Sequence, residues 1–188
     1  MWSMTAGRSG TEMRKIRFIA LDIDGTLLDD ENQIPPANRE ALEEAELRGI
    51  IISLASGRML PTIEAIEAQL GVDCIIIAYN GAKVFGRRAE GRPLIIHQPL
   101  PADVSEIFIH FSREHGHLLN FYHEEGLYAE EVSGQQYLMD LYSRRTGAQY
   151  EIVDHMETSF PGVSPTKLML LAQPSVCDPF FGELKSQS

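Results

Sequence analysis

The chain has 188 residues, 44% of them hydrophobic and 23% charged, enough apolar material to bury a core in one large domain or two small ones. Its 27 acids outnumber its 16 lysines and arginines, and the net charge of −11 opposes a nucleic-acid partner, since Arg87-Arg88 and Arg144-Arg145 are isolated pairs and form no basic patch. Two cysteines, Cys74 and Cys177, supply neither a disulfide framework nor a paired zinc spacing, so a reducing cytoplasm is the expected location.

The first twelve residues hold no apolar signal region, and no later run approaches the roughly 18 apolar residues of a membrane span. No membrane partner is expected, and no feature fixes an oligomeric state. Residues 1–13 read as a tail ahead of "RKIRFIALDIDG". Ile16 to Leu21 has the nearly continuous apolar character of a strand buried on both faces of a parallel sheet, with Asp22 at its carboxyl end. After Pro35-Pro36, Ala37, Ala41, Leu42 and Ala45 recur at helical spacing and Gly49 supplies a stop. Ile50 to Leu54 reads as a second buried strand with a turn at Ser56-Gly57. A second helix presents Ile63, Ile66 and Leu70 and stops at Gly71, and "CIIIAYNG" gives a third strand. This alternation predicts right-handed parallel βαβ units.

Beyond Asn80-Gly81, "AKVFGRRAEGRPLIIHQPL" predicts two short strands about a loop, and Pro99 with Pro101 marks a hinge into a second, α+β unit. In that unit Val104, Ile107, Phe108 and Phe111 form an amphipathic helical stripe, and "HLLNFYHEEGLYAEEV" reads as a hairpin around Glu125-Gly126. A helix through Tyr137, Leu138, Leu141 and Tyr142 follows, then a strand in "TKLMLLA" and the start of a helix in "DPFFGELK".

All three strands of the first unit finish in polar or flexible groups, and open α/β sheets bind ligands at that end. Asp22 and Asp24, two apart on an extended chain, fall on the same side, where they can share a cation or act on one atom. Gly25 lets backbone amides approach an oxyanion, Thr26 adds a hydroxyl, and Ser56, read at a helix start, adds another with amides suited to phosphate. An acid pair repels phosphate unless a divalent cation intervenes, and all-oxygen donors select Mg²⁺. Phosphoryl chemistry is the reading that unites these residues. Taken singly, each has a plainer one: "DIDG" as a turn, Ser56 as a helix cap, Asp29-Asp30-Glu31 as a solvated loop, and His115 with His117 as surface or core residues. An EF-hand loop from Asp22 fails, because Leu27 stands at the required glycine and Gln33 at the terminal glutamate.

The residues resemble the haloacid dehalogenase superfamily of phosphohydrolases, and within it the Cof-like subfamily with a large α/β cap. "DIDGTLL" resembles the first family motif, "ASGR" the second, "YNGA" a subfamily signature facing the substrate, and "TKLMLL" a cap strand. The resemblance implies an α/β fold: an incomplete Rossmann-like parallel core (14–98) with an inserted cap (99–188). It implies a Mg²⁺-dependent phosphatase acting on a small phosphorylated metabolite, such as a sugar phosphate or phosphorylated cofactor. Asp22 is then the nucleophile that becomes an aspartyl phosphate, and Asp24 the general acid and base. The Asp22 carboxylate and Asp24 carbonyl hold Mg²⁺, Ser56 and the Gly57 amide hold the phosphoryl group, and Arg58, Asn80 and Gly81 contact substrate or cap. The family's third-motif lysine and fourth-motif acidic pair, which follow the cap, have no match. Lys167 falls at the cap-strand lysine of the subfamily and is not given the third-motif role. The chain is therefore expected to stop inside the cap, as a three-strand core remnant with an open sheet edge and a weakened metal site. A receiver-type signalling domain would need an aspartate where Tyr79-Asn80-Gly81 stands. A non-catalytic fragment that binds phosphometabolites or a partner is the alternative.

Overall fold

A computed structural model describes residues 15–172; the tail assigned to 1–13, Cys177 and the helix expected in "DPFFGELK" lie outside them. The first sheet has the order β1(Phe18–Asp22), β2(Ile51–Ala55), β3(Ile75–Ala78), β4(Lys83–Phe85), β5(Leu94–His97), to which α1(Pro36–Leu47) and α2(Leu60–Leu70) supply the crossovers. β1, β2 and β3 run parallel, while β4 pairs antiparallel with β3 and β5 antiparallel with β4. The register aligns Asp22 with Ala55 and Ala55 with Ile77, so three strands deliver their carboxyl ends to one line. The core beneath is aliphatic: Ile52, Leu54, Ile63, Leu70 and Ile76 are all 1% exposed or less. Burying each such side chain is worth about 1.5–3 kcal/mol.

The second sheet has the order β8(Glu151–Val153), β7(Gly126–Glu130), β6(Leu118–His123), β9(Lys167–Leu171) and carries α3(Ala102–Glu114), α4(Gln136–Thr146) and α5(Met156–Ser159). Alternation along β6 divides its work between two faces. Leu119 and Phe121 pack with Ile109 of α3 and Met156 of α5, whereas Tyr122 joins the core of the first sheet.

Several expectations need correction. Among the described residues β1 is an edge strand, and it is not buried on both faces: Phe18 is 47% exposed and its register partner Ile51 41%. The first sheet has five strands, because the β4–β5 hairpin folds back onto β3 and extends it. Ser56 is not at a helix start; α2 begins at Leu60 behind Met59, and the Ser56 hydroxyl accepts the Arg58 N–H at 3.2 Å inside the turn. In α1 only Leu42 and Ala45 of the expected stripe are buried. In α3 the buried face is Ser105, Ile109, Phe111 and Ser112, leaving Ile107 54% exposed. Met139 carries the buried face of α4, with Tyr137 and Leu141 outside it. β8 and α5 span three and four residues, too short for any periodicity to announce them.

Candidate active site

Two loops at the carboxyl ends of β2 and β3 are sewn together by their backbones. Ser56 donates its N–H to Ile77 O at 2.9 Å, Asn80 donates to Ser56 O at 3.0 Å, and Tyr79 donates to Arg58 O at 3.0 Å. The second loop achieves this only by placing Tyr79 and Asn80 at φ 53° and 57°, a left-handed conformation costly for tyrosine and tolerable for asparagine. Gly57 is required by proximity: a Cβ there would stand 2.6 Å from Asn80 Oδ1. The result is an open cavity of about 370 Å³ lined by Asp22, Ala55, Ser56, Gly57, Ile77, Asn80 and Gly81.

Of the sequence-predicted residues, Asp22, Ser56, Gly57, Asn80 and Gly81 thus meet around one space, while Asp24, Gly25, Thr26 and Arg58 do not line it. Those between Ile23 and Leu27 form a turn pinned by the buried side chains of Ile23 and Leu27, with Gly25 at φ 74° making the reversal. The Asp24 carboxylate, 54% exposed, is taken by Arg58: Nη2 reaches Oδ1 at 2.7 Å and Nε reaches Oδ2 at 3.2 Å. The same guanidinium donates to Thr146 O at 3.2 Å and Arg145 O at 3.4 Å, two carbonyls in the last turn of α4. Helix ends leave such carbonyls without partners, so Arg58 satisfies them while bridging the two sheets.

Three further side chains converge on this seam: Lys83 and Lys167, to which the sequence assigns no site role, and Tyr79, known there only as part of "YNGA". Lys83, 4% exposed, donates to Glu125 Oε1 at 2.7 Å and to Glu124 O at 2.8 Å. Tyr79 donates its hydroxyl to Glu125 Oε2 at 3.0 Å, and burial, reinforced by that carboxylate, pushes its phenol above the usual range. Lys167 donates to Gly57 O at 2.9 Å, and burial lowers its pKa. In sequence Glu125 signals only a hairpin turn, and Lys83 carries no local mark beyond following "YNGA".

The Asp22 carboxylate and the Asp24 backbone carbonyl offer oxygen alone, as Mg²⁺ prefers. That ion needs only one or two protein carboxylates when water and phosphate oxygens complete its shell, so the donor set fits it. No group of three or more His, Cys, Asp or Glu occurs among the described residues, and none is required for such a site. Among those residues no helix is long and apolar enough to cross a membrane.

A family model for haloacid dehalogenase-like hydrolases matches residues 19–188. The 5-amino-6-(5-phospho-D-ribitylamino)uracil phosphatase YcsE of Bacillus subtilis is 39% identical over 70 residues, 37% of this chain and 28% of that protein. The HMP-PP phosphatase of Shigella flexneri serotype 5b is 27% identical over 138 residues, 73% of this chain and 48% of its own length. The chain therefore spans half or less of these curated relatives. Among solved structures, TM0651 from Thermotoga maritima superposes with a TM-score of 0.78 at 25% identity, covering 92% of this chain and 62% of that one.

Proposed function

Because the chain belongs to the haloacid dehalogenase-like hydrolases, as a Cof-like member, we propose that it is a phosphatase hydrolysing phosphomonoesters of small metabolites beside Asp22. The observation that carries this reading is the cavity itself, where a carboxylate at the end of β1 faces the Ser56-Gly57 loop and the Asn80 turn. In this reading an Asp22 oxygen attacks phosphorus as the bond to the leaving oxygen breaks, giving an aspartyl phosphate. Asp24 gives the leaving oxygen its proton, then takes one from the water that attacks the same phosphorus and frees Asp22. Ser56 Oγ and the Gly57 N–H bind the equatorial oxygens, where charge is greatest, and Asn80 and Gly81 bound the far side. Mg²⁺, held by the Asp22 carboxylate and the Asp24 carbonyl, supplies charge neutralisation when bound.

Residues 14–98 then form the core portion and 99–188 a cap whose face selects the leaving group. The curated relatives are named for phosphorylated small molecules, which supports that substrate class. The test is phosphate release from p-nitrophenyl phosphate with and without Mg²⁺, on the chain and its Asp22→Asn variant. Turnover that requires both Mg²⁺ and Asp22 supports the reading; phosphate binding without release favours a non-catalytic binder.

A further inference from the structure

Lys167 brings a positive charge into the seam between the two sheets, and among the described residues it belongs to no ion pair. Its Nζ donates to Gly57 O at 2.9 Å and lies 5.2 Å from the centre of the Tyr122 ring. Lys83, at the same seam, shows the contrast: its ammonium is neutralised by Glu125 at 2.7 Å. A half-buried ammonium facing a carbonyl dipole and an aromatic face is only partly compensated, and its charge calls for an anion. Burial lowers the Lys167 pKa for this reason.

Lys167 does not line the Asp22 cavity but stands one residue behind its lining, and that position points to the anion. Gly57, whose carbonyl Lys167 holds, lines the cavity with Asp22, Ser56 and Asn80. The β6–β9 register pairs Lys167 with Tyr122, and the next same-face pair is Met169 with Asn120. Asn120 is fully buried there, so Lys167 is the charged group of this face nearest the cavity. An ammonium has three N–H groups, and the Gly57 bond uses one.

We infer that Lys167 is a substrate-binding residue that donates from the second sheet to a phosphoryl oxygen held beside Asp22, offsetting the repulsion between carboxylate and phosphate. This rests on the phosphatase reading of the cavity.

The test measures inorganic phosphate binding by titration calorimetry, and its competition with p-nitrophenyl phosphate, for the wild-type chain, Lys167→Gln and Lys167→Arg. Glutamine keeps a donor for Gly57 O and removes the charge; arginine keeps the charge. Loss of one charge-assisted bond weakens phosphate binding about 10- to 100-fold and raises KM more than it lowers kcat, with arginine recovering most of the loss. Unchanged phosphate affinity in folded Lys167→Gln overturns the inference and leaves Lys167 a clasp between sheets; should that variant unfold, phosphate binding weakened tenfold or more in folded Lys167→Arg, which keeps the charge, overturns it too. A wild-type chain that neither binds phosphate nor releases it overturns the phosphatase reading, and this inference with it.

Discussion

Arg58 holds Asp24 with two nitrogens of one guanidinium, at 2.7 and 3.2 Å, while its remaining donors reach the last carbonyls of α4, 87 and 88 residues away in sequence. The acid assigned to proton transfer is thus oriented by a side chain that also senses where the second sheet lies. A planar fork suits this task, because it fixes direction as well as distance.

Arg58→Lys keeps the charge and loses the fork. The expected result is a fall in kcat/KM of about tenfold, the worth of one charge-assisted hydrogen bond. Stability should change by less than about 1 kcal/mol, since the Asp24 side is 54% exposed. Steady-state kinetics and urea unfolding of the same preparation separate the two effects.

Asp22→Asn and Asp24→Asn should differ in kind as well as size. Removing the nucleophile is expected to cost about 10⁴-fold or more, and removing the acid and base about 10²- to 10⁴-fold. p-Nitrophenolate leaves with little protonation, so Asp24→Asn should form the covalent intermediate and stall at its hydrolysis. Stopped-flow absorbance should record a burst of p-nitrophenolate in that variant and none in Asp22→Asn.

Glu67 is fully buried on α2, where its Oε2 accepts from Arg88 at 2.6 Å and from Arg92, and its Oε1 accepts the Cys74 N–H at 2.9 Å. Its carboxylate ties α2 to the start of β3 and to the loop after β4. Glu67→Ala leaves the Arg92 guanidinium, which is 11% exposed, with Glu64 at 3.4 Å as its remaining carboxylate, and should destabilise the chain by about 3 kcal/mol in urea unfolding.

On the second sheet, hydrogen bonds from Arg113 depress the Glu157 carboxyl from 4.5 to about 2. A depressed folded-state pKa contributes stability that is present above 4.5 and is lost as pH falls toward about 2. Unfolding of the wild-type chain and Glu157→Gln, followed across that range, should show a gap near neutrality that closes in acid. A gap independent of pH would contradict this.

What the sequence determined by itself is what local periodicity encodes. Apolar runs of strand length, separated by helical stripes ending in glycine, required parallel βαβ units, and the parallel sheet put Asp22 at a carboxyl end with Ser56 and Asn80 opposite. Even there, chain order did not reveal that Phe18 of β1 is 47% exposed or that Ser56 lies before the helix, because exposure and capping depend on neighbours distant in sequence. The polar seam was illegible for the same reason. Lys167 meets Gly57 across 110 residues and Lys83 meets Glu125 across 42, and no spacing rule reaches that far. Only the packing of one sheet on the other decides which carbonyl, carboxylate or empty space a charged side chain finds, since its free energy depends on the partners left to it once water is gone.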